Sequence, residues 1–220
     1  IDGPEELTVC DPACGSGHML TYAFDLLYGI YEEQGYSQSE IPGLILANNL
    51  YGMEIDERAA NLAAFALTMK ARAKARRFFR DGRRVEPHIR LISEERFTSD
   101  EVRELNELYK VSLDDEVWNT YANADIVGSL IQPPQELVAL AESQMNDSAN
   151  DEAVTERRQS TWREVGLHEG QSDDAVTLFR TSLAERATTV FKHTRYLARQ
   201  YEAVVANPPY MGSKNMGDEL

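Results

Sequence analysis

Leu7-Thr8-Val9-Cys10-Asp11-Pro12-Ala13-Cys14-Gly15-Ser16-Gly17-His18-Met19-Leu20 runs from a strand, through a tight turn, into a helix. Residues 7–11 read as a short buried strand, and Gly15 and Gly17 let the backbone turn sharply. From Gly17 to about residue 33, Leu20, Ala23, Leu27 and Tyr31 recur at helical spacing. Gly35 and Ser37 break the pattern, and Pro42 opens a short helix through Leu46. Residues 50–55 read as a second strand. Asp56 is suited to cap the next helix, expected from 57 to about 79 with Ala59, Leu62, Ala63, Ala66 and Leu67 on one side. Residues 87–92 read as a third strand. Strand, helix, strand, helix, strand is the order of an α/β fold with a parallel sheet and crossover helices.

The alternation is then interrupted. Residues 93–142 read as mostly helical, with a break near 123–128 and a turn at Pro133-Pro134. Residues 143–174 are polar and acidic and are expected to be mobile. Residues 175–200 form a strong helix, with Phe179, Leu183, Ala187, Val190, Phe191 and Leu197 near helical spacing. Residues 201–206 read as a fourth strand beside the first, ending in Asn207-Pro208-Pro209-Tyr210. The expected organisation is one core built from 1–92 and 201–220, with 93–200 inserted as a mainly helical segment.

The first turn is built for a ligand. Glycines allow close approach, and the following helix offers free amides at its start. Glu54 at the second strand tip can accept from both hydroxyls of a ribose, the general logic of nucleotide sites at strand carboxyl ends. The loop matches neither G-x-G-x-x-G nor a Walker loop. Asp11 at its opening repels phosphate and suits a cation. S-adenosylmethionine, with an α-amino group, a sulfonium and no phosphate, fits that demand. Asp11 and Glu54 stand 43 positions apart, more than the ~20 usual in dinucleotide folds, because the first helix is long and 34–49 is inserted. Taken without these acids, the glycines describe any tight turn.

Asn207-Pro208-Pro209-Tyr210 suits a planar amine. The amino nitrogen of adenine is a weak nucleophile because its lone pair is delocalised into the ring. Acceptors on its two hydrogens, the Asn207 side-chain oxygen and the Pro208 carbonyl aimed by consecutive prolines, favour the tetrahedral geometry that frees the pair. Tyr210 supplies a stacking face, worth roughly 1–3 kcal/mol. Asn accepts without adding charge beside a sulfonium. Methylation at cytosine C5 would need a Cys nucleophile here, and no Cys follows Cys14.

Composition sets bounds on these readings. The chain has 220 residues, 42% of them hydrophobic, enough for a sizeable core. No apolar run approaches the ~20 residues of a membrane span, and Ile1-Asp2-Gly3-Pro4 lacks a signal pattern; we expect a cytoplasmic location and a longer parent protein. Cys10 and Cys14 are too few for a disulfide framework, and with four histidines no zinc site is expected. The cations at 70–77 suit a helix C-terminus and a solvated face. The formal charge of −15 opposes a nucleic-acid surface: either the substrate is not DNA, or the DNA-gripping parts lie elsewhere.

Asp11-Pro12-Ala13-Cys14-Gly15-Ser16-Gly17-His18-Met19-Leu20, Asn49-Leu50-Tyr51-Gly52-Met53-Glu54-Ile55-Asp56 and Val205-Ala206-Asn207-Pro208-Pro209-Tyr210-Met211-Gly212 resemble the motifs of adenine-N6 DNA methyltransferases. The order, cofactor motif first, is that of the gamma class, which includes fused restriction-modification enzymes. The stretches are most similar to the PglX-type methyltransferases of BREX and phage-growth-limitation defence systems. The resemblance implies a Rossmann-like S-adenosylmethionine-dependent core, with strands 1–4 of its sheet and a helical insertion. It implies that Asp11, Pro12, Ala13, Gly15, Gly17, Glu54, Ile55 and Asn207 bind the cofactor. It also implies that Asn207, Pro208, Pro209 and Tyr210 hold an adenine flipped from double-stranded DNA, in a host-marking role beside other phage-defence proteins and away from membranes.

Such enzymes place an acidic or polar residue after the third strand to bind the cofactor's adenine; here Ser93-Glu94-Glu95 and Asn123-Ala124-Asp125 compete for that role. The chain stops ten residues after Tyr210, so further strands, an upstream cofactor motif and a target-recognition region are expected elsewhere. The fourth strand would then be a sheet edge and the isolated chain inactive. Methyltransferases acting on a release-factor glutamine or an RNA guanine also use Asn-Pro-Pro-Tyr, and a cofactor-sensing scaffold would keep the turn without catalysis.

Overall fold

The computed structural model describes residues 2–80, 85–146 and 174–207. In chain order the first elements are β1 (Val9–Asp11), α1 (His18–Glu33), α2 (Ile41–Asn48), β2 (Leu50–Glu54), α3 (Glu57–Lys74) and β3 (His88–Leu91). Then come α4 (Ser99–Tyr109), α5 (Asp115–Trp118), α6 (Ala124–Val127), α7 (Gln135–Asn146), α8 (Asp174–Ala198) and β4 (Ala203–Val204). The strands form one sheet in the order β3-β2-β1-β4, with every pair parallel. Val9, Cys10 and Asp11 sit opposite Leu50, Tyr51 and Gly52. This is the α/β architecture expected from the alternation, and it is consistent with a Rossmann-like methyltransferase fold.

Two compact units emerge. The sheet-bearing unit holds residues 2–94, 123–130 and 199–207 of those described. In it α1 buries Leu20, Phe24, Leu27, Tyr28 and Tyr31; Phe24 and Tyr28 complete the stripe, while Ala23 is only partly buried. Asp56 caps α3, its carboxylate accepting from the amides of Arg58 and Ala59. The buried face of α3 is Ala60, Ala63, Leu67 and Ala71, rotated from the expected one, and Leu62 is 52% exposed. Alanines on several sides leave the stripe undefined in sequence; packing selects the side where small residues let α3 approach α1 closely. The helix also ends at Lys74, where Ala75 turns extended, short of the expected residue 79.

One buried polar residue and one surface cation anchor the sheet. Asn49 is fully buried: its Nδ2 donates to the carbonyls of Pro4 (2.6 Å) and Leu7 (2.9 Å), and its Oδ1 accepts from the Tyr31 hydroxyl (2.9 Å). Every polar atom of that side chain is satisfied, as burial requires. The chain entering β4 is fixed by Arg199, whose guanidinium lies 4.1 Å from the centre of the Tyr51 ring, while the His88 ring stacks against Tyr51 at 4.8 Å. The β4 strand is shorter than expected, and Val204 is 61% exposed.

The second unit holds residues 95–122, 131–146 and 174–198 of those described. Thr98 and Glu101 form a reciprocal capping box at the start of α4. Arg186 of α8 gathers the entry to this unit: it pairs with Glu101 (2.6 Å) and Glu95 (3.3 Å), donates to the Arg96 carbonyl and covers the Phe97 ring. Trp118, fully buried, meets Phe97, Tyr109 and Phe191. On α8 the buried stripe starts at Leu183 and includes His193 and Thr194, whereas Phe179 is 47% exposed. The acidic stretch expected to be mobile, 143–174, lies for the most part outside the described residues. The expected break at 123–128 is a helical turn, α6, followed by a 3-10 turn at Gly128–Leu130.

Candidate functional site

A parallel sheet sends the carboxyl ends of all its strands to one end, where ligands bind in α/β folds. Asp11, Glu54 and the segment after β4 therefore emerge together. Asp11 is only 2% exposed, and its Oδ1 accepts from the amide of Ala13 (3.1 Å), closing an Asx turn. Cys14 donates its amide to the Met53 carbonyl (2.9 Å), and Gly17 to the Cys14 carbonyl (2.8 Å). Pro12 and Ala13, half-buried, carry the chain between these contacts.

Glu54 faces this turn. Its Oε2 accepts from the amide of Gly15 at 2.7 Å, and its Oε1 accepts from Ile55 (2.9 Å) and Asp56 (3.1 Å). Three backbone amides thus fix the carboxylate in one orientation. Oε2, with a single amide, retains acceptor capacity.

The two glycines serve different ends. Both have left-handed backbones, φ +53° at Gly15 and +83° at Gly17. A Cβ on Gly17 would meet the Cβ and Cα of Ala63 at 3.0 and 3.1 Å, whereas one on Gly15 would meet nothing within 4 Å. The turn is packed against α3 at Gly17 and open at Gly15, so a bound group can lie against the Gly15 backbone. We expect Gly17→Ala to cost roughly 2–4 kcal/mol, from left-handed strain plus overpacking, and Gly15→Ala about 1–2 kcal/mol from strain alone. Urea denaturation checks this; equal losses would contradict the packing.

Electrostatics favour a cation. Burial pushes the Asp11 carboxyl above the usual carboxylate range, opposed by the Ala13 amide and reinforced by the nearby charge of Glu54. The raised value means that the folded state holds the Asp11 proton more tightly than the unfolded chain does, so the ionised carboxylate is poorly solvated and a cation beside it would relieve that cost. The Asp11 contribution to stability is therefore full at acid pH and is lost as pH rises through its raised folded-state pKa. Asp11→Asn keeps the Asx acceptor and should raise the melting temperature at pH 7 while leaving it unchanged near pH 3. A lower melting temperature at pH 7 would contradict this. Burial, then Asp11, pushes the Cys10 and Cys14 thiols up to about 12; both are free and buried, and neither can act as a thiolate nucleophile.

Asn207 arrives from β4. Thr8 anchors that strand, its carbonyl accepting from Ala203 (2.9 Å) and its hydroxyl from Glu202 (3.0 Å), and the Val205 amide donates to the Cys10 carbonyl (2.9 Å). Asn207, two residues on, is exposed at the end of the sheet where Asp11 and Glu54 emerge. Pro208, Pro209 and Tyr210 lie outside the described residues. Ile55 is 47% exposed beside Glu54. Gly128 was missed in sequence: a Cβ there would stand 3.2 Å from Cγ2 of Ile55. A glycine closing the short pattern Ala-Asp-Ile-Val was its signal.

The chain matches the family model described as Eco57I restriction-modification methylase over residues 48–220. It is 36% identical over 241 aligned residues to the adenine-specific methyltransferase BrxX of Escherichia coli O9:H4 (strain HS), covering 99% of this chain and 18% of that protein. It is 32% identical over 218 aligned residues to the adenine-specific methyltransferase PglX of Lacticaseibacillus casei (strain Zhang), covering 98% of this chain and 16% of that protein. The likeness drawn from three motifs thus extends over nearly the whole chain, which spans less than a fifth of the length of these relatives. Among the described residues no helix is long and apolar enough to cross a membrane.

Proposed function

We propose, from the premise that the chain belongs to the Eco57I restriction-modification methylase family, that it forms the catalytic core of an enzyme transferring a methyl group from S-adenosylmethionine to N6 of adenine in DNA. The observation that carries this reading is the amide-fixed Glu54 carboxylate facing an open glycine turn, beside the buried acid Asp11. The cofactor, when bound, supplies a methyl group on a positively charged sulfur. Glu54 would accept from a ribose hydroxyl through Oε2, the Gly15 backbone would leave room for the chain that follows, and Asp11 would contribute negative charge toward the amino group and sulfonium.

Asn207 accepts one hydrogen of the target amino group through its side-chain oxygen. The Pro208 carbonyl accepts the other, and Tyr210 stacks on the flipped base, as the sequence pattern implies. With the cofactor bound, methyl transfer would be direct: the carbon–nitrogen bond would form as the methyl–sulfur bond breaks, the thioether would leave, and the extra proton on nitrogen would pass to solvent, with no covalent bond to the protein. Positioning provides much of the rate. With a formal charge of −15, the chain contributes little phosphate binding, so most of the grip on DNA comes from other parts of the protein. The names of the relatives favour a setting of phage defence or restriction-modification, with defence proteins as partners.

A panel of DNA, release-factor protein and ribosomal RNA, given methyl-labelled cofactor and the intact protein, tests the substrate class. Label entering DNA alone is expected; label in protein or RNA would overturn the proposal in favour of those substrates.

A further inference from the structure

A strand is held in place only as firmly as its ladder is long, and β4 has two residues. Among the described residues it pairs with β1 alone, and Val204 is exposed. Backbone pairing by itself leaves little to oppose a slip, since every residue there offers an amide. A slip of one residue would carry Asn207 about 3.3 Å along the sheet and turn its side chain to the opposite face. Methyl transfer needs that side chain held much more closely.

Side chains choose the register. Tyr51 stands opposite Cys10 and His88, and Cys10 stands opposite Val204, so the Tyr51 ring belongs to a row that crosses the whole sheet. It collects two groups from the segment leading into β4: the Arg199 guanidinium at 4.1 Å from its centre and the Tyr201 ring at 5.2 Å. Arg199 also lies 5.5 Å from the centre of the Tyr201 ring. The Tyr51 ring is itself fixed. It stacks on His88 at 4.8 Å with 6° between the planes, and His88 Nε2 donates to the Ala47 carbonyl at 2.8 Å. The buried Thr8 adds a tie from β1, its hydroxyl accepting from the Glu202 amide at 3.0 Å. A slip would withdraw Arg199 and Tyr201 from the ring and exchange the amide at Thr8.

We propose that Arg199 and Tyr51, together with the Thr8 hydroxyl, are positioning residues that hold β4 in register and so place the Asn207 side chain for methyl transfer. They act through Asn207 and leave cofactor affinity alone. This inference rests on the proposed role of Asn207.

Single-turnover methyl transfer to duplex DNA by the intact protein, beside calorimetric titration with S-adenosylhomocysteine, tests it. Arg199→Ala and Thr8→Val should each slow transfer about tenfold to 100-fold, the scale of a misplacement near 1 Å. The Kd should stay within about threefold of the unsubstituted protein's. Arg199→Lys keeps a cation for the ring and Thr8→Ser keeps the hydroxyl, so both should recover most of the rate. In an Asn207→Ala background, Arg199→Ala should slow transfer by no more than about twofold, because residues acting through one contact do not add. Arg199 is exposed, so its variants keep the test sound even where Thr8→Val fails to fold. Transfer by Arg199→Ala at the unsubstituted rate, or an equal loss with and without Asn207, would set the inference aside and leave the role of Asn207 standing. If Asn207→Ala itself transfers at the unsubstituted rate, both fall together.

Discussion

Glu54→Ala removes measurable binding of S-adenosylmethionine by the intact protein, with Kd rising roughly 100-fold or more. A ribose hydroxyl donating to the free acceptor site of Oε2 is worth about 1.5–3 kcal/mol, and about 1.4 kcal/mol is a factor of ten. The substitution also removes the acceptor that holds the amides of Gly15, Ile55 and Asp56, so the turn loses its fixed shape. Glu54→Gln should not rescue it. Both carboxylate oxygens accept amides, and a glutamine would present a donor to one of them. Calorimetry with S-adenosylmethionine decides the matter; binding by Glu54→Ala within about threefold of the unsubstituted protein would remove the ribose role.

Asn207→Ala should act on the chemical step, lowering single-turnover methyl transfer by about 100-fold to 1,000-fold, the range seen when one preorganised polar group is taken from a transition state. The cofactor Kd should change far less. Asn207 lies past the last pairing of β4 with β1 and is exposed, so its loss should leave the melting temperature unchanged. The two variants thus separate the ends of the site: Glu54→Ala fails to bind, and Asn207→Ala binds without transferring. Transfer by Asn207→Ala at the unsubstituted rate would contradict the assignment.

The strand-turn-helix unit at 7–20 was legible because its signals are local: a β-prone run, two glycines, then helical spacing. The cap at Asp56 was legible for the same reason. The face of α3 was not, since alanine carries little polar contrast and Leu62 at 52% exposure looks like core in sequence. The amide cage of Glu54 was invisible because Gly15 and Glu54 are 39 positions apart and meet only through the pairing of β1 with β2. Asn49 hid for a similar reason: a buried polar hub has no periodicity. The return of 123–130 to the sheet-bearing unit depends on a glycine conformation and a close contact with Ile55, which sequence marks only by Gly128 itself.

The proposed role of these residues is methylation of adenine at N6. Incubating the intact protein with methyl-labelled S-adenosylmethionine and duplex DNA, then digesting to nucleosides, should give labelled N6-methyldeoxyadenosine that disappears in Asn207→Ala. Label found instead in methylcytosine, or N6-methyldeoxyadenosine undiminished in Asn207→Ala, would contradict the account.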